Sequence, residues 1–310
     1  MISIIIVNWN SGGLLENCVR SLLAHATGCE IIIVDNASTD SSLSFAESAG
    51  ANLTILRNDR NAGFAGGNNI GWRTCKGDHI LFLNPDTECF PESIPRLQQT
   101  LINDRAIWAV GGRLVNESGD SRLNFNVRSF PSIGSVAAEM FFMDEIWPSN
   151  PWTRTMRIAG IDHSIDVDQP AAACLMVSRA ALESIGGFDE EFYPAWFEDV
   201  DLCRRIRAQG GRIQYRPDAC FLHQGGYSLG QMSLQDFLES FHSNQIRYFR
   251  KHHGLSAALR VQRLIVLGLK IRAGLCMIHS PAPNLSRTAS SKMFRGAARS
   301  ISKLLEAERK

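Results

Sequence analysis

The strongest constraint on this chain is a pattern repeated through its first 115 residues: a short apolar run, a polar stretch rich in Asn, Asp or Ser, then an amphipathic segment. Residues 2–7 are mostly β-branched and broken only by Ser3, and Leu14, Leu15, Val19, Leu22 and Leu23 follow at helical spacing. Apolar runs return at residues 31–34, 53–56, 80–83 and 107–110, with periodic segments over 39–49 and 91–103 between them; Pro91 suits a first helical position. Apolar strands alternating with amphipathic helices indicate a mostly parallel sheet covered on both faces. The first half therefore predicts a nucleotide-binding type of α/β fold.

The pattern weakens over residues 116–169, where Phe, Trp and Pro recur without a clean period; this predicts loops and short strands lining a cleft. A buried strand is expected over 171–177, helices over 179–185 and 200–209, the second stopped by Gly210 and Gly211, and a strand over 219–222. Beyond Gln231 the chain reads as helical, which sets the expected boundary between a domain at 1–231 and an extension at 232–310. With 45 % hydrophobic and 20 % charged residues over 310 positions, the composition excludes a disordered, collagenous or coiled-coil chain. Eight cysteines without a CxxC pair signal neither a zinc knuckle nor a disulfide framework, so reduced thiols in a cytoplasmic setting are expected. The first residues carry no basic region and no small-residue cleavage site, and read as a strand rather than a signal peptide.

Charge is unevenly spread. Residues 232–310 hold 14 Lys and Arg against 4 acids, net +10, which leaves −9 on the first 231 residues. A basic extension of this kind suits an anionic surface, membrane or nucleic acid, or is an ordinary solvated helix pair. Lys270 and Arg272 interrupt the apolar stretch over 264–278, so the extension can lie on a bilayer but does not read as crossing one. Its cations are dispersed among apolar residues with few aromatics interleaved, which argues against nucleic acid.

In open parallel sheets ligands bind outside the carboxyl ends of the strands. The first predicted strand is followed by Asn8-Trp9-Asn10, the second by Asp35-Asn36-Ala37-Ser38-Thr39-Asp40, the third by Asn58 and Asp59, and the fourth by Asn84-Pro85-Asp86. Any one of these fits a turn or helix cap, but amides or acids at every strand end favour a site. Asp35 suits the imide N–H of uracil or thymine, or ribose hydroxyls. The segment from Asn61 through Gly63, Gly67 and Asn69 enters a helix, and its glycines would let backbone approach a ligand. Asp86 can hold a divalent cation that bridges a diphosphate, since such an ion needs only one or two carboxylates. His223 can add an imidazole, and the loop Gln224-Gly225-Gly226-Tyr227-Ser228 can fold over a diphosphate. Glu198 and Asp199 stand at a helix N-terminus beside an aromatic run, where a carboxylate can take a proton from a sugar hydroxyl. Asp201 fits an ion pair with Arg204 or Arg205.

Together these segments resemble the inverting family 2 glycosyltransferases of the GT-A fold, especially their rhamnosyltransferase-like branch, in order over about residues 1–230. The matching stretches are 7–10, 34–40, 61–69, 83–86, 187–192, 198–205 and 223–228. The resemblance implies a GT-A Rossmann-like mixed sheet with helices on both faces, followed by a helical extension. It implies that Asn8, Asn10, Asp35, Asn36, Asn61, Gly63, Gly67, Asn69, Asn84 and Asp86 line the donor site, Asp35 holding the nucleobase. Asp86 would be the metal-binding acid of the DxD motif with His223 closing the site, and Asp199 the general base beside Glu198. Asn84 stands where the motif has its first acid, which is usual in this branch. The implied cofactor is Mg²⁺ or Mn²⁺ and the implied donor is dTDP-L-rhamnose, with UDP sugars such as UDP-galactofuranose behind it. The acceptor would be a cell-surface polysaccharide or polyprenyl-linked saccharide at the inner face of the cytoplasmic membrane, to which the protein would bind peripherally; a homo-oligomer is left open. Two other classes remain at this point, an NAD(P)-dependent oxidoreductase, disfavoured because no GxGxxG follows the first strand, and a non-catalytic sugar-nucleotide-binding protein.

Overall fold

The computed structural model describes all residues except 47–52, 122–124, 148, 155–160, 226–231, 279–285 and 307–310. The chain divides into two compact units, one of Met1–Phe130, Met156–Pro194 and Glu198–Ser228, the other of Pro131–Thr155, Ala195–Phe197 and Leu229–Lys310.

The first unit is built on a mixed sheet. In chain order it holds β1 (Ile2–Asn8), α1 (Leu14–His25), β2 (Glu30–Asp35), β3 (Leu53–Arg57), α2 (Gly63–Thr74), β4 (His79–Leu83), β5 (Thr87–Cys89), α3 (Ser93–Asn103), β6 (Ile107–Val115) and β7 (Val127–Arg128). The second unit contributes α4 (Ile133–Met140), α5 (Met143–Ile146) and α6 (Pro151–Arg154). The chain then returns to the first unit with β8 (Ile165–Asp166), β9 (Gln169–Pro170), β10 (Cys174–Ser178), α7 (Arg179–Ile185), α8 (Glu198–Ala208) and β11 (Arg212–His223). It ends in the second unit with α9 (Leu234–Leu275) and α10 (Arg287–Ser302).

The sheet runs β3-β2-β1-β4-β10-β6-β11-β5, with β8 on β11 and a separate β7-β9 pair. β1, β2, β3 and β4 are mutually parallel, as are β6 and β11, whereas β10 lies antiparallel between β4 and β6. Alternation along β1 shows why both faces need cover. Ile4 and Ile6 pack with Leu15 and Leu22 of α1 and Leu97 of α3, while Ile5 faces Trp72 of α2, Leu182 of α7 and Ile206 of α8. Each such fully buried Ile or Leu contributes about 1.5–3 kcal/mol.

Several local expectations need correction. Residues 42–45 form turns where a helix from 39 is expected, because Asp40 Oδ1 accepts from both the backbone N–H and the hydroxyl of Ser42, a local bond that competes with helical pairing; 47–49 lie outside the described residues. The start of α3 falls at Ser93, two residues past Pro91, since Glu92 adopts a left-handed φ of 62°. The supposed loop region contains α4, which a capping box closes: Ser135 N–H donates to Ser132 Oγ while Ser132 N–H donates to Ser135 Oγ. β11 begins seven residues before the expected strand, at Arg212.

In the second unit, α9 bends at Gly254, whose φ of 79° suits glycine, and packs on α4 and α10. The three residues Ala195–Phe197 join these helices: Asn244 Nδ2 donates to Ala195 O at 2.8 Å, Trp196 stacks edge-on against Phe237, and Phe197 meets Phe241 and Tyr248. Among the described residues no helix is long and apolar enough to cross a membrane.

The ion pair expected of Asp201 is made with Arg205, at 2.7 Å. Arg205 also donates to the carbonyls of Ile185 and Gly187, tying α8 to the turn after α7. Asp201 is fully buried, so Arg205→Leu takes the cation away from a buried carboxylate and is expected to lower stability by about 3 kcal/mol or more. Urea unfolding checks this; a loss below about 1 kcal/mol would contradict it.

Candidate active site

Parallel pairing sets Asn8 of β1 beside Asp35 of β2 and Ile6 beside Leu83 of β4, so the chain leaves these three strands at one edge. The antiparallel strand β10 starts at that same edge, Cys174 lying opposite Leu83. Polar residues before β10 therefore meet polar residues after β1, β2 and β4.

At the β1–β2 end, Asn8 is fully buried and its Nδ2 lies 2.8 Å from Asp35 Oδ1, with Ser38 and Ser42 hydroxyls at 3.0 and 2.9 Å. Asn8 Oδ1 is buried without a partner among the described residues. Asp35 accepts in addition from Ser38 N–H at 3.3 Å, which leaves its carboxylate further capacity as an acceptor. The neighbouring amides are spent on the protein itself. Asn10 Oδ1 accepts from Thr39 N–H, Asn36 Nδ2 donates to Gly63 O, and Asn61 Oδ1 accepts from Gly63 N–H. Asn69 is fully engaged: its Nδ2 donates to Phe188 O and Glu190 Oε1, and its Oδ1 accepts from Phe188 N–H and Trp72 Nε1. Gly67 has a packing role, since a Cβ there would lie 2.7 Å from Val7, and Gly63, at φ 75°, passes under Pro194 O. These residues shape and hold the loops around Asp35.

At the β4 end, Asp86 Oδ2 accepts from Gly225 N–H at 3.0 Å, and Asp86 O accepts from Gln224 N–H. Asp86 Oδ1 lies 3.4 Å from His223 Nε2. β5 pairs antiparallel with β11, placing Thr87 opposite His223, which is how residues 137 positions apart meet. Burial pushes the Asp86 carboxyl up, but His223 and the backbone donors of Asp86 itself and Gly225 outweigh it, so the group sits below its ordinary value. Asn84 Oδ1, Asp86 Oδ1 and His223 Nδ1 are all buried without a hydrogen-bond partner among the described residues. Gly226, Tyr227 and Ser228 of the following loop lie outside the described residues.

Such orphaned acceptors around one carboxylate fit a hard cation. Among the described residues no group of three or more His, Cys, Asp or Glu would hold a metal alone. The donor set, one carboxylate with an imidazole and an amide oxygen, therefore suits an ion that completes its shell with phosphate oxygens and water.

Glu198 and Asp199 open α8. Asp199 Oδ2 accepts from Gln169 Nε2 at 2.9 Å, and Oδ1 from Val200 N–H at 2.8 Å. Burial lifts its carboxyl above the ordinary range, only partly offset by the Arg128 charge and by the hydrogen bonds from Val200 and Gln169. Glu198 is pushed well above, by burial first and then by the charges of Asp199 and Asp201, and its Oε2 has no partner among the described residues. One short segment, residues 169–173, links this end of the site to the other: Asn84 N–H donates to Ala173 O at 3.1 Å, while Gln169 donates to Asp199.

Three contributors carry no sequence motif. Gln169 and Arg128 face each other across the two-residue pairing of β7 with β9. Phe125 stacks on His223, centroids 5.1 Å apart and planes 13° apart, and the Arg128 guanidinium lies 5.8 Å from the Phe125 centroid. A column thus runs from Asp86 through His223 and Phe125 to Arg128, whose charge reaches Asp199.

The chain is similar to known sugar transferases in sequence and in fold. It is 27 % identical over 274 residues, 82 % of this chain and 86 % of the relative, to an N-acetylglucosaminyl-diphospho-decaprenol L-rhamnosyltransferase of Mycobacterium tuberculosis. Its fold is similar to that of the mannosyltransferase PcManGT from Pyrobaculum calidifontis, solved in complex with GDP-Man and Mn2+, with a TM-score of 0.59, 15 % identity, and coverage of 99 % of this chain and 87 % of that one. It is likewise similar to GalNAc-T7, solved with UDP, GalNAc and Mn2+, with a TM-score of 0.60, 14 % identity, and coverage of 99 % of this chain and 56 % of that one. These neighbours identify the mixed sheet with its flanking helices as the GT-A fold. Residues 3–176, more than half of the chain, match the model for glycosyl transferase family 2, and the protein belongs to that family.

Proposed function

We propose that the protein is an inverting glycosyltransferase in which Asp35 binds the nucleobase or ribose of the donor, Asp86 and His223 face its diphosphate, and Asp199 is the general base. The observation that supports this most is the short segment 169–173, whose Ala173 O accepts from Asn84 N–H and whose Gln169 Nε2 donates to Asp199 Oδ2, at the edge where β1 and β2 also end. Family membership replaces the oxidoreductase alternative. Our first choice of donor is dTDP-L-rhamnose, by likeness to the mycobacterial relative, with UDP sugars including UDP-galactofuranose next. A saccharide on a polyprenyl diphosphate is the acceptor this likeness favours, with transfer on the cytoplasmic face of the membrane.

In the proposed step the acceptor hydroxyl oxygen bonds to the anomeric carbon from the face opposite the leaving group. Its proton passes to an Asp199 oxygen, and the bond from the anomeric carbon to the diphosphate oxygen breaks, the electron pair leaving with the nucleoside diphosphate. A base must be ionised yet basic enough to draw the proton, and burial raises the Asp199 carboxyl in that direction. The same burial, with the charge of Asp199 beside it, pushes the Glu198 carboxyl well above its ordinary range, which disfavours a second negative charge next to Asp199. When bound, Mg²⁺ or Mn²⁺ held by Asp86 and His223 would neutralise charge on the departing diphosphate.

Asp199→Asn is expected to leave donor affinity nearly unchanged and to lower turnover by about a hundredfold or more; near-parental turnover would remove Asp199 from the base role. The base works only when ionised, so the acid limb of the kcat profile should lie above the ordinary Asp value of about 3.9. Arg128→Leu, which deletes a charge that lowers this pKa, should move the limb to still higher pH. A limb unmoved by Arg128→Leu would contradict the coupling.

Asp86→Ala should abolish Mn²⁺-stimulated binding of a nucleotide sugar, measured by calorimetry. Parental binding that is indifferent to EDTA would contradict a metal role. The same titration across dTDP, UDP and GDP sugars tests the donor, and a preference for GDP sugars would overturn our choice.

A further inference from the structure

The second half of α9 presents two faces. Val261, Ile265, Leu269, Ala273 and Cys276 are buried, which accounts for the inner one. The outer face carries Leu267, Ile271 and Leu275 at i, i+4, i+8 spacing, 51, 39 and 45 % exposed, and the turn that follows adds Ile278 at 73 %. A helix of a globular protein ordinarily turns polar residues to this side. Along one border of the apolar ridge, Lys270 lines a cleft of about 320 Å³ with Arg295, Ala298, Arg299 and Ser302 of α10. From residue 240 to 305 the sequence contains 12 Lys and Arg and no Asp or Glu, so α10 and the second half of α9 supply no carboxylate to neutralise the cleft.

We propose that this face docks on an anionic lipid bilayer, the cleft receiving lipid phosphate and the ridge entering the boundary between headgroups and acyl chains. Charge complementarity selects the occupant. A second copy pairing through the same face about a twofold axis would bring Lys270, Arg295 and Arg299 toward their own duplicates, which repel. Nucleic acid would meet the cations but leave the aliphatic ridge in water, with no ring on it for a base to stack upon. A leaflet bearing phosphate satisfies both halves, since interfacial helices combine buried apolar area with attraction to anionic lipid. The inference goes beyond the transfer reaction and does not depend on which sugar is moved.

The test is flotation of the full chain with vesicles of phosphatidylcholine alone and of phosphatidylcholine with phosphatidylglycerol. Two variants are compared with the parent, the charge reversal Lys270→Glu/Arg295→Glu/Arg299→Glu and the ridge variant Leu267→Ser/Ile271→Ser/Leu275→Ser. All six positions lie on the outer side of the helices, and helix content by circular dichroism establishes that each variant is folded. The parent should float with the anionic vesicles and not with phosphatidylcholine alone, and each variant should bind the anionic vesicles at least about tenfold more weakly. Inorganic phosphate at millimolar concentration should not displace the parent, because it cannot replace the ridge contact. Unchanged flotation of both folded variants would overturn the proposal. So would displacement by phosphate alone, or binding of a duplex oligonucleotide in place of vesicles. A shift to dimer that the ridge variant abolishes would point instead to a second copy.

Discussion

The antiparallel placement of β10 is the constraint on which the site depends. In an all-parallel sheet, every segment preceding a strand lies at the edge away from the ligand. Reversing β10 between β4 and β6 brings residues 171–173 to the edge where β1, β2 and β4 end. The segment that enters β10 then serves two distant motifs, Ala173 O accepting from Asn84 N–H and Gln169 Nε2 donating to Asp199 Oδ2.

Electrostatics then separate the carboxyl groups. Asp86 and Asp199 are both screened from water, yet their pKa values move in opposite directions. An imidazole and backbone N–H donors surround Asp86 and favour its charge, whereas burial dominates at Asp199 despite Arg128. One carboxylate suited to stay ionised near a diphosphate and another suited to accept a proton is the division that glycosyl transfer by direct displacement requires. The column of His223, Phe125 and Arg128 spans the distance between the two environments.

Much of this was legible in the sequence because parallel strands advertise themselves. Asn8, Asp35 and Asn84-Pro85-Asp86 each follow an apolar run, and the sheet rule assigns such residues to one edge before any coordinate is known. What stayed hidden was the direction in which an amide points. Asn36 sits in the same stretch as Asp35, and Asn61 and Asn69 in the stretch over 61–69, yet their hydrogen bonds close on neighbouring loops. Nothing in residue type distinguishes an amide turned to a ligand from one turned to a carbonyl. Gln169, Arg128 and Phe125 escaped because β7 and β9 are two residues long, too short for any periodicity, and α4 starts from a Ser–Ser cap within an aperiodic stretch.

The most direct measurement is a crystal structure of the protein soaked with dTDP and Mn²⁺, phased to show the anomalous signal of the metal. The account predicts one manganese peak at Asp86 and His223, the thymine or ribose within hydrogen-bond distance of Asp35, and the Asp199 carboxylate facing the open side of the β-phosphate. A nucleotide seated away from these three residues, or a manganese peak on other ligands, would contradict it.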